Sequence, residues 1–129
     1  MITRLAGAVL LGGALAACSA PRTQQNIDAG APIGSDWSTT AAVYRGMIGT
    51  RVAYRCVPGG SAGTVWGTDI FTDDSSVCTA GVHAGLITLS GGGTVVIEIR
   101  PGAPAYDGSF RNGITSVDYG AWTGSFVFP

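Results

Sequence analysis

Lysine is absent from this 129-residue chain, and its seven basic residues are arginines scattered singly. Set against eight carboxylates, they form no basic run. Phosphate neutralisation dominates nucleic-acid binding, so nucleic acid is not an expected partner. Histidine occurs once, at His83, and any imidazole chemistry must use that ring. Cysteine occurs three times; with Cys18 spent on the N-terminal signal described below, two thiols and one histidine fall short of a four-ligand zinc site unless carboxylates join. After the N-terminal stretch no apolar run approaches the ~20 residues that cross a bilayer. G-x-S-x-G, P-loop and HExxH signatures are missing, and no internal repeat is visible. No metal, cofactor or catalytic group is expected.

What is present starts at the N-terminus. Arg4, the apolar stretch Leu5 to Leu15 and the small residues after it follow the order of a secretory signal. Polar Ser19 ends the stretch short of spanning length. Leu15-Ala16-Ala17-Cys18 resembles the bacterial lipobox, whose cysteine is lipidated on sulfur and becomes the new N-terminus. Residues 1–17 are thus expected to be a lipoprotein signal peptide, with Cys18 the lipidation site; two or more acyl chains hold a protein stably on a membrane. The competing reading is an ordinary signal cut at a neighbouring alanine. Residues 18–36 contain Pro21, Pro32 and many small residues and read as a flexible tether. Residues 37–129 read as one domain. The expected location is the bacterial cell envelope, periplasm-facing at the outer membrane, since Ser19 after the lipidated cysteine is compatible with outer-membrane sorting.

An exported compartment is oxidising, so Cys56 and Cys78 are expected to form one disulfide, a Cys/His metal site being the alternative. The domain has a β texture broken by glycine turns. Arg51–Cys56, Thr64–Phe71, Thr94–Ile99 and Thr123–Phe128 are candidate strands, and Val95, Ile97 and Ile99 share one face. Asp107-Gly108 and Asn112-Gly113 are tight-turn signals that place Ser109 to Val117 in a hairpin. One segment departs from this pattern. Asp74, Ser75 or Ser76 can cap a short helix, and Gly85 suits its end. Gly81 inside it costs about 1 kcal/mol relative to alanine, which points to a close neighbour. The fold class is α+β.

The stretch Val65-Trp66-Gly67-Thr68-Asp69-Ile70-Phe71, followed by Ser75-Ser76-Val77-Cys78-Thr79-Ala80-Gly81-Val82-His83-Ala84-Gly85-Leu86-Ile87, resembles the LCCL domain. Gly91-Gly92, Pro101-Gly102, Tyr106, Asn112-Gly113-Ile114-Thr115-Ser116, Trp122 and Ser125-Phe126 fall in the family's order as well. The resemblance covers roughly 51–128. It implies a short central helix wrapped by two antiparallel β-sheets, and an extracellular module rather than an enzyme. Animal members usually carry four cysteines in two bridges. Here Ser61 stands near the place of another family cysteine, so that bridging pattern does not transfer. Links of some animal members to host defence and endotoxin sensing imply an envelope component as ligand.

The candidate chemistry is limited. Cys78 and His83 are five positions apart, about 140° around a helix, so they do not face each other as a nucleophile pair. His83 is expected to be a structural helix residue, held by backbone or hydroxyl groups such as that of Thr79. Asp69, Asp73 and Asp74 are the densest acidic group. Three carboxylates near a turn suit calcium, but helix capping explains Asp73 and Asp74 more simply. Trp66 is expected in the core. Tyr106, Tyr119 and Trp122, with Arg100 and Arg111, are the candidate ligand-binding residues, their guanidinium forks suiting phosphate or carboxylate. The sequence therefore reads as an envelope-anchored binding module whose partners are the membrane, through its anchor, and an envelope glycan, lipid or protein. The alternatives are a small hydrolase using His83 and nearby aspartates, and a purely structural lipoprotein.

Overall fold

Short apolar-alternating runs need partners, and here most of them find one in a single sheet. The computed structural model describes residues 29–129; the signal stretch, Cys18 and most of the expected tether lie outside the described residues. In chain order the elements are β1 (Ile33–Ser35), β2 (Arg51–Cys56), β3 (Gly67–Thr68), β4 (Ile70–Thr72), helix α1 (Val77–His83), β5 (Gly93–Ala103), β6 (Phe110–Arg111), β7 (Ile114–Thr115) and β8 (Trp122–Val127). A six-stranded sheet has the order β1-β2-β5-β8-β4-β3, and β6 and β7 form a separate two-stranded antiparallel sheet.

The α+β architecture expected from the sequence is present, with four local differences. Ile33–Ser35, which the sequence reads as tether, pairs with β2 from Ile33↔Tyr54 to Ser35↔Cys56. This pair is parallel, so the larger sheet is mixed rather than wholly antiparallel. Three residues with a central glycine are too few to show a period of two. The single strand expected over Thr64–Phe71 is instead a hairpin, β3 with β4, reversing at Asp69, whose φ is 68°. The strand expected at Thr94–Ile99 continues through Pro101-Gly102 to Ala103. Ile99 makes the last bonds on the β2 side, to Gly49 and Thr50. Pro101 faces that same side two residues later, where no strand needs its missing N–H. Lastly, Asp107-Gly108 makes no hairpin turn; Gly108 N–H donates to Asp118 Oδ1 at 2.7 Å. The hairpin turn is Asn112-Gly113, with φ of 52° and 81°, as a type I′ turn requires.

Helix α1 packs between β2 of the large sheet and β7 of the small one, and all seven of its residues are buried. Of the three proposed caps, Ser76 is the one used: its Oγ accepts the Thr79 N–H at 3.2 Å. Ser75 faces away from the helix, its Oγ accepting the Trp66 N–H at 3.0 Å. At the other end Gly85 N–H donates to the Val82 carbonyl and Leu86 N–H to the Gly81 carbonyl, both at 2.9 Å. This is the paired closure that a left-handed residue after a helix produces, and Gly85 supplies it at φ 83°. A Cβ on Gly81 would lie 3.0 Å from Val95 Cγ1 and 3.4 Å from Ile87, which accounts for glycine in the helix interior. Cys56, ending β2, is bridged to Cys78 in the first turn of α1. Val52, Tyr54, Val95, Ile97, Ile99, Phe71 and Phe126 meet Val77 and Ala80 in one core. Every described strand, the helix, the bridge and the buried core residues named here lie within 33–127.

Candidate binding site

The strongest polar node on the domain is one that sequence reasoning missed. Asp73, expected beside a helix cap, is fully buried. Arg45 grips it with two bonds, Nε to Oδ2 at 2.7 Å and Nη2 to Oδ1 at 2.6 Å. Trp122 Nε1 donates to Oδ1 at 2.9 Å. Burial pushes this carboxyl up, but the hydrogen bonds from Arg45 and Trp122, with the Arg45 charge, more than offset it and hold it below the ordinary carboxylate value. The carboxylate lies directly against Gly124, where a Cβ would collide with it. Asp74 caps nothing; its Oδ1 is buried without a protein partner among the described residues. Asp69 points elsewhere, to Arg111 Nη1 at 3.0 Å. The three aspartates expected as a possible calcium group are therefore not gathered.

Trp122 leads from this node to the surface. The Arg45 guanidinium carbon lies 5.1 Å from the Trp122 ring centroid, covering one face as cation–π pairs do. Tyr119 meets Trp122 edge-on at 5.7 Å and Trp66 at 6.2 Å. Trp66, expected in the core, is half-buried, because the residue that fills the interior at this point is its neighbour Val65. The result is a row, Trp66–Tyr119–Trp122–Arg45, with Tyr119 its most open aromatic member at 43% exposure.

The remaining sequence candidates divide. Tyr106 is buried at 3% exposure: its hydroxyl accepts the Ala103 N–H and donates to the Trp122 carbonyl. It is a wall residue rather than an open contact, and its backbone pairs with Tyr119. It helps line an open cleft of about 440 Å³ with Thr68, Ile70, Asp107 and Ser109. Arg111 is tied to Asp69, which stands between the cleft residues Thr68 and Ile70. Both partners are largely exposed, and such pairs contribute about 0–1 kcal/mol. Arg100 lies 3.7 Å from Glu98 on β5 and belongs to neither the row nor the cleft.

His83 is fully buried. Its Nε2 lies 3.2 Å from both the carbonyl oxygen and the hydroxyl of Ser109, not at Thr79, whose hydroxyl accepts the Gly63 N–H. Phe71 packs edge-on against the ring at 5.7 Å. Nδ1 has no protein partner, so the aspartate–histidine pair of the hydrolase alternative does not form among the described residues. The histidine joins α1 to the β6 approach, and Asn112 Nδ2 donates to its carbonyl at 2.9 Å. Arg45, Thr68 and Ser109 were not visible as site residues. Arg45 lies 28 positions from its carboxylate, and no local pattern connects the two.

Fold and surface together define a class: a small disulfide-tied α+β domain with a solvent-facing aromatic row beside an open cleft. Within that class the chain belongs to the LCCL domain family, whose model matches residues 33–126. It is 39% identical over 95 residues to clotting factor C of Tachypleus tridentatus, covering 72% of this chain and 9% of that protein. It is 41% identical over 63 residues to human vitrin, covering 49% of this chain and 9% of vitrin. It is also 43% identical over 56 residues to human cysteine-rich secretory protein LCCL domain-containing 2, covering 43% of this chain and 11% of that protein. The chain spans about a tenth of the length of these relatives.

Proposed function

We propose that this protein is an exported binding module, tethered to the cell envelope through Cys18, that recognises an envelope glycan with the aromatic row around Tyr119. One observation carries the reading: Tyr119 projects at 43% exposure between two half-buried tryptophans. Two edge-on neighbours fix the ring, so little rotamer freedom is lost when a ligand stacks on it. Sugar rings offer apolar faces for such stacking, and the cleft beyond Tyr106 sets Asp107 beside the apolar Ile70, Ala103 and Ala105. Clotting and secretory proteins carry the same domain, which supports export.

Residues 19–129 contain the whole described fold and serve as the soluble test protein. Saturable binding to peptidoglycan or lipopolysaccharide is expected, weakened about tenfold (~1.4 kcal/mol) by Tyr119→Ala. A folded protein that binds neither glycan, or a Tyr119→Ala variant that binds like the parent, overturns the glycan reading. The anchor is tested separately: Cys18→Ser in the full chain should abolish acylation of the exported protein, measured by mass spectrometry. An unacylated parent protein removes the tether.

A further inference from the structure

The segment between β1 and β2 holds three large apolar side chains out to solvent within six residues: Val43, Met47 and Ile48, at 80%, 50% and 52% exposure. Other exposed large apolar residues come singly or, as with Val117 and Tyr119, in pairs. The loop is firmly built. Tyr44 packs against the core, Met47 N–H donates to the Tyr44 carbonyl at 3.0 Å, and Thr50 N–H to the Met47 carbonyl at 3.1 Å. Gly49 N–H donates to the Ile99 carbonyl at 2.8 Å, fastening the loop to β5. A backbone fixed in this way displays its apolar side chains by construction, at a hydrophobic cost to the isolated domain.

The place of the loop says what covers it. It leads directly into the start of β2. Because β1 runs parallel to β2, starting opposite Tyr54, the chain comes into the sheet from the direction of that same end. The start of β8, with Trp122, lies there too, paired with the end of β5. From Cys18 to Ala29 a fully extended chain reaches at most about 40 Å. On the tether reading the domain is kept within that distance of the bilayer, and this end is the one the tether leads to. Local charge is already matched: Arg45 by Asp73, with Asp74 nearby, and Arg51 and Arg100 by Glu98. Little is left for electrostatic attraction, so apolar insertion must supply the affinity.

We propose that Val43, Met47 and Ile48 insert into the boundary between headgroups and acyl chains of a phospholipid membrane. They seat this end of the sheet on the bilayer. The orientation argument rests on the tether proposed above; the test does not. Residues 19–129, which lack the anchor, are titrated with vesicles of phosphatidylethanolamine and phosphatidylglycerol, a fraction of them with brominated acyl chains. Met47→Trp is the reporter. Val57→Trp, at a 49% exposed position beyond the opposite end of β2, is the control. The reporter should be quenched beyond the parent chain's own tryptophans, the control should not, and the difference should persist in high salt. Adding Val43→Ser and Ile48→Ser to the reporter should weaken partitioning about tenfold or more without lowering its melting temperature. A reporter left unquenched at saturating lipid, or quenched no more than the control, overturns the proposal. So does a doubly substituted reporter that partitions undiminished. Concentration-dependent self-association without vesicle binding assigns the patch to a second copy instead. Glycan binding, read by Tyr119→Ala, stands or falls independently of this result.

Discussion

A carboxylate with no solvent exposure stays ionised only when its surroundings replace the water it has lost. Asp73 receives two bonds from Arg45 and one from Trp122, and its own backbone joins Ala41 to Gly124. Removing the side chain would orphan the Trp122 indole N–H and free Arg45. Arg45 keeps 38% side-chain exposure and can turn to water. Asp73→Ala should therefore cost about 2–3 kcal/mol, below the full penalty of a broken buried pair. The pH dependence has a definite sign. The folded carboxyl sits below its ordinary value of 3.8. Its stabilisation is thus complete above that value and is lost as pH falls through the lower folded one. Melting curves from pH 7 to pH 2 should show the parent losing stability steeply below about pH 4. Asp73→Asn should be flatter over the same range and approach the parent in acid. Parallel curves would show that the ionised form contributes nothing particular.

At the scale of elements, legibility followed the range of the forces involved. β2 was readable residue for residue, and the Asn112-Gly113 turn with it, because a β-rich run between turn residues and a positive φ are local properties. Helix α1 was readable from its ends: Ser76 and Gly85 act on backbone groups within four residues of themselves. Gly81 betrayed a close neighbour without naming Val95. The elements that escaped are those defined by partners. β1 is a strand because β2 offers it an edge. β5 runs on through Pro101 because one side of the sheet has already ended. The candidate site divides on the same ground. Tyr119 and Trp122, expected among the ligand-binding aromatics, do face each other. Tyr106, expected beside them, has its hydroxyl consumed by Ala103 and Trp122. Arg45 and Trp66 complete the row from distant segments, and only the folded sheet brings them to it.

For the whole molecule, the question is what holds a hundred-residue domain with a seven-residue helix together. Domains of this size are stable by only about 5–15 kcal/mol, and α1 is too short to persist without the sheet around it. The Cys56–Cys78 bridge is the covalent link between them, closing a sequence separation of 22. In the chain-entropy account a loop of that size contributes about 3 kcal/mol. Loss of the bridge should therefore lower the melting temperature by roughly 15 °C, whether by reduction or in a Cys56→Ala/Cys78→Ala double variant. Access separates this reading from an incidental surface bridge. Both cysteines are essentially without solvent contact, at 1% and 0% exposure. A reductant must wait for the domain to open, because thiolate attack needs a path to the sulfur. Native protein in dithiothreitol should then lose its bridge slowly, at a rate that rises with added denaturant, while unfolded protein is reduced at once. Rapid reduction of a protein that keeps its melting temperature would mean that the packing of β2 on α1 suffices alone. Residues 37–129 hold two cysteines, both in this bridge, and a single staple with no partner to share its load makes slow reduction with a large fall in melting temperature the result to expect.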